Sequence, residues 1–325
     1  MLCLTIGTLI AYGSVFISPD AFKYSAGISV LIPVFLGLNF FTLLYYLFKG
    51  SFASLLPMVL LVLGYPFMQV SLAFNSLETT EGDLSVMSYN VKRFVGEKSG
   101  YALQVHDFVL DEAPDILCLQ EFNVRNRDFR DFAKKGKYRM LGDPGNHSLA
   151  MFTKYPVIDH GKLFEGATTN NILFADLLIK KDTIRVYNVH LQSMGINTSR
   201  LQDTEGIREG YEEAKTKFLD GAAVRARQIS ALMDHLEGCT HPIIIAGDFN
   251  DVPYSYNHFK VRRGFTNAFE AAGSGFGITY NGKLPFLRID HQFYRGGIEA
   301  SSFKTFDHVV PSDHFPILGI YTLSD

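Results

Sequence analysis

The 325-residue sequence predicts an α/β fold of layered sandwich type, preceded by an all-helical apolar segment. Three observations lead there. Charge is nearly absent up to Phe74 and ordinary from then on. Short runs rich in β-branched and aromatic residues recur from Leu84 to Tyr321, bounded by turn residues. Between these runs lie stretches with apolar residues at three and four spacing, the period of helices packed on a sheet.

The N-terminal segment comes first. Met1 to Phe74 carries Asp20, Lys23 and Lys49 as its only charged side chains. Ile28 to Phe48 and Phe52 to Phe74 are uncharged runs, each longer than the roughly 18 residues that let an apolar helix cross a bilayer. Met1 to Ile17 is also uncharged and close to the lower length limit. The expectation is therefore an integral membrane protein whose residues 1–76 form an anchor of about three transmembrane helices. Residues 77–83 act as a linker and residues 84–325 as the catalytic domain. No Lys or Arg precedes Lys23, so the basic start of a cleaved signal peptide is missing and a retained anchor is expected. Basic loops tend to stay cytoplasmic, so Lys49 predicts a catalytic domain on the outer side.

Composition narrows the chemistry. The three cysteines have no close spacing and suggest neither a zinc site nor a disulfide framework. A net charge of −3 supplies no basic field of the kind that holds nucleic acid without regard to sequence.

In the remaining chain the expected strands are Leu84–Val91, Asp115–Gln120, Leu149–Thr153, Ile172–Ile179, Thr183–Leu191, Pro242–Ala246, Asp290–Tyr294 and Ile317–Tyr321. Tyr101–Leu110 and Ala222–Leu236 are expected helices. Ser193 to Asp220 is polar and charged and reads as a solvated helix in preference to a flap. The Gly273-Ser-Gly-Phe-Gly277 cluster reads as a flexible loop.

Several of these strands end in residues able to bind metal or phosphate. Leu84–Val91 carries Asn90; Asp115–Glu121 delivers Gln120 and then Glu121, and a strand-end carboxylate suits a hard cation. In Val186–Leu191, Asn188 and His190 lie two apart and share a strand face, as do Asp248 and Asn250 after Gly247. Arg288-Ile-Asp-His-Gln and Ser312-Asp-His-Phe-Pro place Asp290, Asp313 and His314 near the C-terminus. Each residue alone could be a turn cap or a satisfied core group. Their joint occurrence in this order is the signal.

In order and spacing these segments resemble the motifs of the endonuclease/exonuclease/phosphatase superfamily, the deoxyribonuclease-I-like metal phosphoesterases. Gly-Asp-Phe-Asn and Ser-Asp-His are the most specific pieces. The resemblance implies a four-layer α/β/β/α sandwich with its site at one end. It implies Glu121 as direct metal ligand with Asn90 and Asp313 nearby, and Mg²⁺ or Mn²⁺ as the ion. It further implies Asp248 as the residue that orients or deprotonates the attacking water, and Asn250 and His190 as phosphate contacts; Asn188, on the same strand face as His190, is a further expected phosphate donor. Asp290 is implied as the partner holding a catalytic His314. His291 and Gln292 depart from the family's usual pattern after Asp290.

The sequence excludes a serine hydrolase of the Gly-x-Ser-x-Gly kind and a His-Glu-x-x-His zinc enzyme, since neither motif occurs. The function expected is divalent-metal-dependent hydrolysis of a phosphodiester or phosphomonoester. The alternative is a catalytically inactive, membrane-tethered binding or scaffold domain on the same fold. The partners expected are a phosphoester substrate, whether nucleic acid, phospholipid headgroup or small phosphoester, and the lipid bilayer, with no obligate protein partner.

Overall fold

The computed structural model describes the chain except residues 76–80, 95–99, 123–132, 135–137, 143–148, 166–168, 195–203, 283–285 and 325. Two compact units are present: residues 1–72, 194–229 and 251–263 form one, and residues 73–193, 230–250 and 264–325 the other.

The first unit is helical. It contains α1 (Leu2–Ser14), α2 (Tyr24–Ser29), α3 (Ile32–Phe48), α4 (Leu55–Leu63) and α5 (Tyr65–Ser71). It also includes the first part of α7 (Thr204–Leu236) and all of α8 (Tyr256–Arg262). Residues Tyr24–Phe48 run as one helix with mean hydropathy 2.1, long and apolar enough to cross a membrane. Phe52–Leu63 and Tyr65–Ser71 reach that length only as a pair bent by 51°. Helix α1 has 13 residues, about 20 Å of helix against the ~30 Å of a hydrocarbon core. The three apolar runs thus become one long helix, one bent pair and one short helix. A small core of Ala11, Val15, Ile32, Phe67, Val70 and Phe259 joins α1, α3, α5 and α8. Asn39 on α3 donates to Thr8 Oγ1 on α1 at 2.8 Å, a polar tie between apolar helices. Asp20 and Lys23 pair with Arg227 and Asp220 of α7.

The second unit is a sandwich. Its strands are β1 (Ala73–Phe74), β2 (Leu84–Asn90), β3 (Ile116–Gln120), β4 (Arg139–Gly142), β5 (Leu149–Thr153), β6 (Val157–Lys162) and β7 (Ile172–Ile179). They continue with β8 (Asp182–His190), β9 (Ile243–Asp248), β10 (Thr266–Asn267), β11 (Ser274–Gly275), β12 (Asp290–Arg295), β13 (Ile298–Thr305) and β14 (Ile317–Leu323). Helices α6 (Tyr101–Glu112) and α9 (Ala268–Ala272) lie among them. One six-stranded sheet has the order β13-β14-β2-β3-β5-β4 and the other β10-β12-β9-β8-β7-β6. The central pairs β2/β3 and β8/β9 are parallel, and all other neighbours are antiparallel. A parallel pair needs a crossover, which α6 and α7 supply.

The layering follows from alternation. Val86, Ile116, Cys118 and Ile317 of the first sheet meet Val186, Ile244 and Ala246 of the second in the inner core. Their neighbours Met87, Leu117, Leu119 and Leu318 face the other way, into a core shared with Val105 and Val109 of α6. The end of α7 covers the opposite sheet: Tyr187 Oη lies 2.8 Å from His235 Nδ1, and the Phe174 ring packs on the His235 ring at 4.8 Å. Each fully buried Val, Ile or Leu here contributes about 1.5–3 kcal/mol. The α/β/β/α sandwich is thus the fold.

Three local expectations are refined. The Gly273–Gly277 cluster is not a free loop, because Ser274–Gly275 pairs antiparallel with Ala73–Phe74. That pairing also puts residues 73 and 74 in the sandwich, whereas residues 77–80 of the expected 77–83 linker lie outside the described residues. Of the polar stretch 193–220, residues 204–220 are helix as expected, continuous with the Ala222–Leu236 helix, and 195–203 lie outside the described residues.

Candidate active site

Because β2 and β3 run parallel, and β8 and β9 do too, the four strands bring their C-terminal residues together at one end of the sandwich. Register carries this across each sheet. Asn90 stands opposite Gln120, and His190 stands opposite Asp248, which stands opposite Asp290. Glu121 follows β3 and His314 precedes β14.

Asp248 is the hub of the cluster. Its Oδ2 accepts from Asn90 Nδ2 at 2.9 Å and from Asn250 Nδ2 at 3.1 Å, and its Oδ1 accepts from the Asn250 backbone N–H at 2.8 Å. His190 Nε2 and His314 Nε2 each lie 3.8 Å from the same Oδ2. The bond from Asn90 crosses from one sheet to the other, so the site spans both.

Two backbone features place these groups. Gly247 has φ +151°, and a Cβ there would lie 2.0 Å from Val189 O, so only glycine lets β9 run this close to β8 just before Asp248. Glu121 has φ +49° and Asn250 φ +49°, left-handed conformations that cost non-glycine residues energy and cluster at functional sites.

The imidazoles are oriented by their inner nitrogens. His314 Nδ1 is 2.9 Å from Asp290 Oδ2, and the backbone N–H groups of Ile289 and Asp290 both donate to Thr279 Oγ1. Burial opposes charge on His314, but Asp290 and Asp248 facing it outweigh burial and push its pKa up to about 10. His190 Nδ1 lies 3.0 Å from Thr169 O, a carbonyl that fixes a proton on that nitrogen and turns Nε2 toward the carboxylates.

The site is graded from dry to wet. The side chains of Asp248 and Asp290 are 1% exposed, against 33% for Glu121, 24% for Asp313 and 48% for Lys92. Lys92 Nζ contacts Asp313 Oδ2 at 2.7 Å. Ser312 Oγ donates to Asn90 O at 2.7 Å and ties the segment before β14 to the end of β2.

Residues 87–314 match the Endonuclease/Exonuclease/phosphatase family. The chain belongs to this family. Residues 1–71 match a separate domain of unknown function, DUF8431. The uncharacterized protein YbhP of Escherichia coli K12 is 24% identical over 271 residues, which cover 74% of this chain and 96% of YbhP. Among solved structures, the human Nocturnin catalytic domain aligns at 17% identity with TM-score 0.55, over 74% of this chain and 94% of that one. A humanized Danio rerio TDP2 aligns at 17% identity with TM-score 0.54, covering 74% and 98%. An endonuclease/exonuclease/phosphatase from Bacteroides vulgatus aligns at 17% identity with TM-score 0.53, covering 75% and 100%. At these identities the likeness of the solved structures concerns the fold.

Within the endonuclease/exonuclease/phosphatase frame, the residues fall into place unevenly. Asn90, Glu121, His190, Asp248, Asn250, Asp290 and His314 form one contact chain. Asn188 does not join it. Its side chain is buried between the sheets, donating to Leu119 O at 3.1 Å and Ala150 O at 2.8 Å while accepting from Gln120 at 2.7 Å. The expected phosphate contact is thus replaced by a cross-sheet clamp, because both amide hydrogens are spent on backbone carbonyls. Asn90 also departs from expectation. Its carbonyl oxygen accepts the Lys92 N–H at 3.0 Å, so its NH₂ faces Glu121 and Asp248, and an N–H donor cannot ligate a cation.

One buried group among the described residues could hold a divalent cation. Asp248, Asp290 and His314 offer ligand atoms all within 4.8 Å of one another. Glu121 and Asp313 instead stand at the wet edge. Beside Ser312 of the Ser-Asp-His piece, the site also draws on Lys92, Thr279 and Asn170, which no motif in the sequence marks. Lys92, two residues after Asn90 in a basic pair, has a local signal in the sequence. Asn170 donates to Leu191 O at 2.8 Å from a loop without a motif.

Proposed function

We propose that this chain is a membrane-anchored phosphoester hydrolase that uses Mg²⁺ or Mn²⁺. The observation that carries the reading is the contact chain from Glu121 through Asn90 and Asp248 to His314 and Asp290, which links both sheets at one end. Nocturnin's catalytic domain, a relative in fold, is known with a bound sulfate anion, the shape of a phosphate.

The donor set fits a divalent cation best at Glu121 and Asp313. Mg²⁺ sheds water reluctantly and is typically held by one or two carboxylates, which suits a half-exposed pair better than the dry Asp248–Asp290–His314 group. In that group His314 Nδ1 is already committed to Asp290. Asp313 would exchange Lys92 for the ion. When bound, the metal supplies positive charge that offsets the phosphate's own and polarises the ester.

The chain's own residues do the rest. Asp248 orients the attacking water and accepts its proton; the grip of Asn90 and Asn250 fixes the direction of its Oδ2. His314, held by Asp290, donates from Nε2 to a phosphoryl oxygen as charge builds there in the in-line transition state. His190 faces the same space. Asn250 reaches phosphate by exchanging its 3.1 Å bond to Leu191 O.

The anchor reading assigns the helices of residues 1–72 to the membrane, with the strand Ala73–Phe74 already part of the sandwich and residues 84–325 carrying catalysis. Helices α2–α3 and the bent α4–α5 pair form a hairpin with Lys49 in its turn. A basic turn on the cytoplasmic side then puts Ala73 and the catalytic domain outside. A reporter fused after Asp325 tests this, and a cytoplasmic signal contradicts it.

The function is tested with the full chain in detergent, supplied with Mg²⁺ and panels of DNA, RNA, phospholipid and soluble phosphoesters. Turnover of at least one class, lost on chelation, is expected. Turnover of none, or turnover indifferent to chelator, contradicts the reading.

A further inference from the structure

A groove of about 480 Å³ opens within the helical unit, a size inside the roughly 300–1,000 Å³ range of ligand pockets. Leu9 and Phe16 of α1 and its C-terminal flank form one wall, and Leu63 and Phe67 form the other. Arg262 and Arg263, at the end of α8, line the same groove.

The groove exists because α4 and α5 meet at a 51° break. Gly64 sits at that break, where a Cβ would lie 2.3 Å from Tyr12 Oη and 2.7 Å from Leu36 Cδ2, so α1 and α3 approach the bend closely. Pro66 is tolerated at the start of α5 and turns that helix off the axis of α4. On α1, a Cβ at Gly13 would meet nothing within 4 Å, so the space beside it stays open.

Charged residues just past α1 set the level of the groove. Asp20 and Lys23, the first charges in the chain, come directly after that helix and pair with α7. On the membrane-anchored reading, this end of α1, where apolar helix gives way to charged chain, lies at the level of a bilayer's headgroups. The Arg263 guanidinium lies 5.8 Å from the Phe16 ring centroid and that of Arg262 5.8 Å from the Phe259 ring centroid. Arg263 is exposed and forms no ion pair among the described residues. Apolar walls with a cationic end, at this depth, match an anion carrying a hydrocarbon chain.

We propose that the groove binds one anionic phospholipid of the surrounding bilayer, with an acyl chain against the Leu9–Phe67 walls and the phosphate on Arg262 and Arg263. The site rests on the membrane-anchored reading above and is independent of the catalytic cluster. An apolar groove alone would take a neutral lipid equally well; the two arginines give the preference for negative charge.

The test is lipid retention by the full chain. The protein is reconstituted in nanodiscs of equal phosphatidylglycerol and phosphatidylcholine, extracted, and weighed by native mass spectrometry. One retained phosphatidylglycerol per chain is expected. Its preference over phosphatidylcholine should fall about tenfold or more in Arg262→Gln/Arg263→Gln and persist in Arg262→Lys/Arg263→Lys. Gly13→Leu, which fills the groove, should lose both lipids. Equal retention of the two lipids by the unaltered chain, or a preference unchanged by the Gln pair, overturns the proposal. Carbonate extraction of membranes separates the failures. Release of the full chain into the soluble fraction overturns the anchor and the lipid site together. A chain that stays in the pellet yet shows no preference overturns the lipid site alone.

Discussion

Glu121 and Gly247 show how single residues build this site by tolerating unusual backbone. Glu121 projects to the wet edge from a left-handed turn, and its charge is its contribution. Glu121→Gln keeps the shape and should lower kcat by about 10²–10³ with little change in melting temperature. At Gly247 the constraint is steric. Gly247→Ala must displace the Val189 carbonyl from a Cβ 2.0 Å away, and should cost about 3 kcal/mol or more in denaturant unfolding. The sequence motifs single out the residues of this cluster: Asp248 and Asn250, and likewise Asn188 and His190, stand two apart at strand ends. The direction of each amide was not legible there. Asn90 and Asn188 both read as ligands, yet which atoms they offer depends on a backbone N–H two residues on and on carbonyls of other strands. Asn188→Ala would take this partner from Leu119 O, Ala150 O and Gln120, whose amide keeps Ser88 Oγ and Cys118 O. It should destabilise the fold by about 2–3 kcal/mol while leaving KM near its original value.

At the scale of elements, strands with a one-sided apolar pattern or a continuous apolar run were readable, and polar edge strands were not. β4 and β6 end the two sheets, and β6 reads Val-Ile-Asp-His-Gly-Lys, with too little alternation to announce itself. β13 is likewise an edge strand with Ser, Glu and Lys along it. The α7 helix was legible at its amphipathic end, whose packing on the sheet makes a pH-dependent contact. Burial, then the charge of Arg185, holds the His235 pKa below its ordinary value. The folded state therefore binds fewer protons than the unfolded one. The resulting stability is full above the unfolded value of about 6.5 and is lost as pH falls below it through the lower folded value. Melting temperature should drop between pH 7 and pH 5, and His235→Gln should flatten that slope. An unchanged slope would remove His235 as its source.

For the whole molecule, the layered fold was legible because two parallel strand pairs with helical crossovers leave a strong pattern, β-run, helix, β-run, twice over. The family's four-layer form came with the motifs. The apolar helical segment was readable from charge alone, but the bend at Gly64 was not, since an apolar run announces neither where it breaks nor what space the break leaves. The central claim is that the contact chain at the end of the sandwich hydrolyses phosphoesters with a metal held at Glu121. The most direct measurement is the hydrolysis of bis(p-nitrophenyl) phosphate and p-nitrophenyl phosphate by the full chain with Mn²⁺ or Mg²⁺. It is repeated after chelation and in the Glu121→Gln and His314→Ala variants. The account predicts turnover of at least one ester, abolished by chelation, restored by added metal and reduced about 100-fold or more in each variant. Turnover that survives both metal removal and the two substitutions would contradict it.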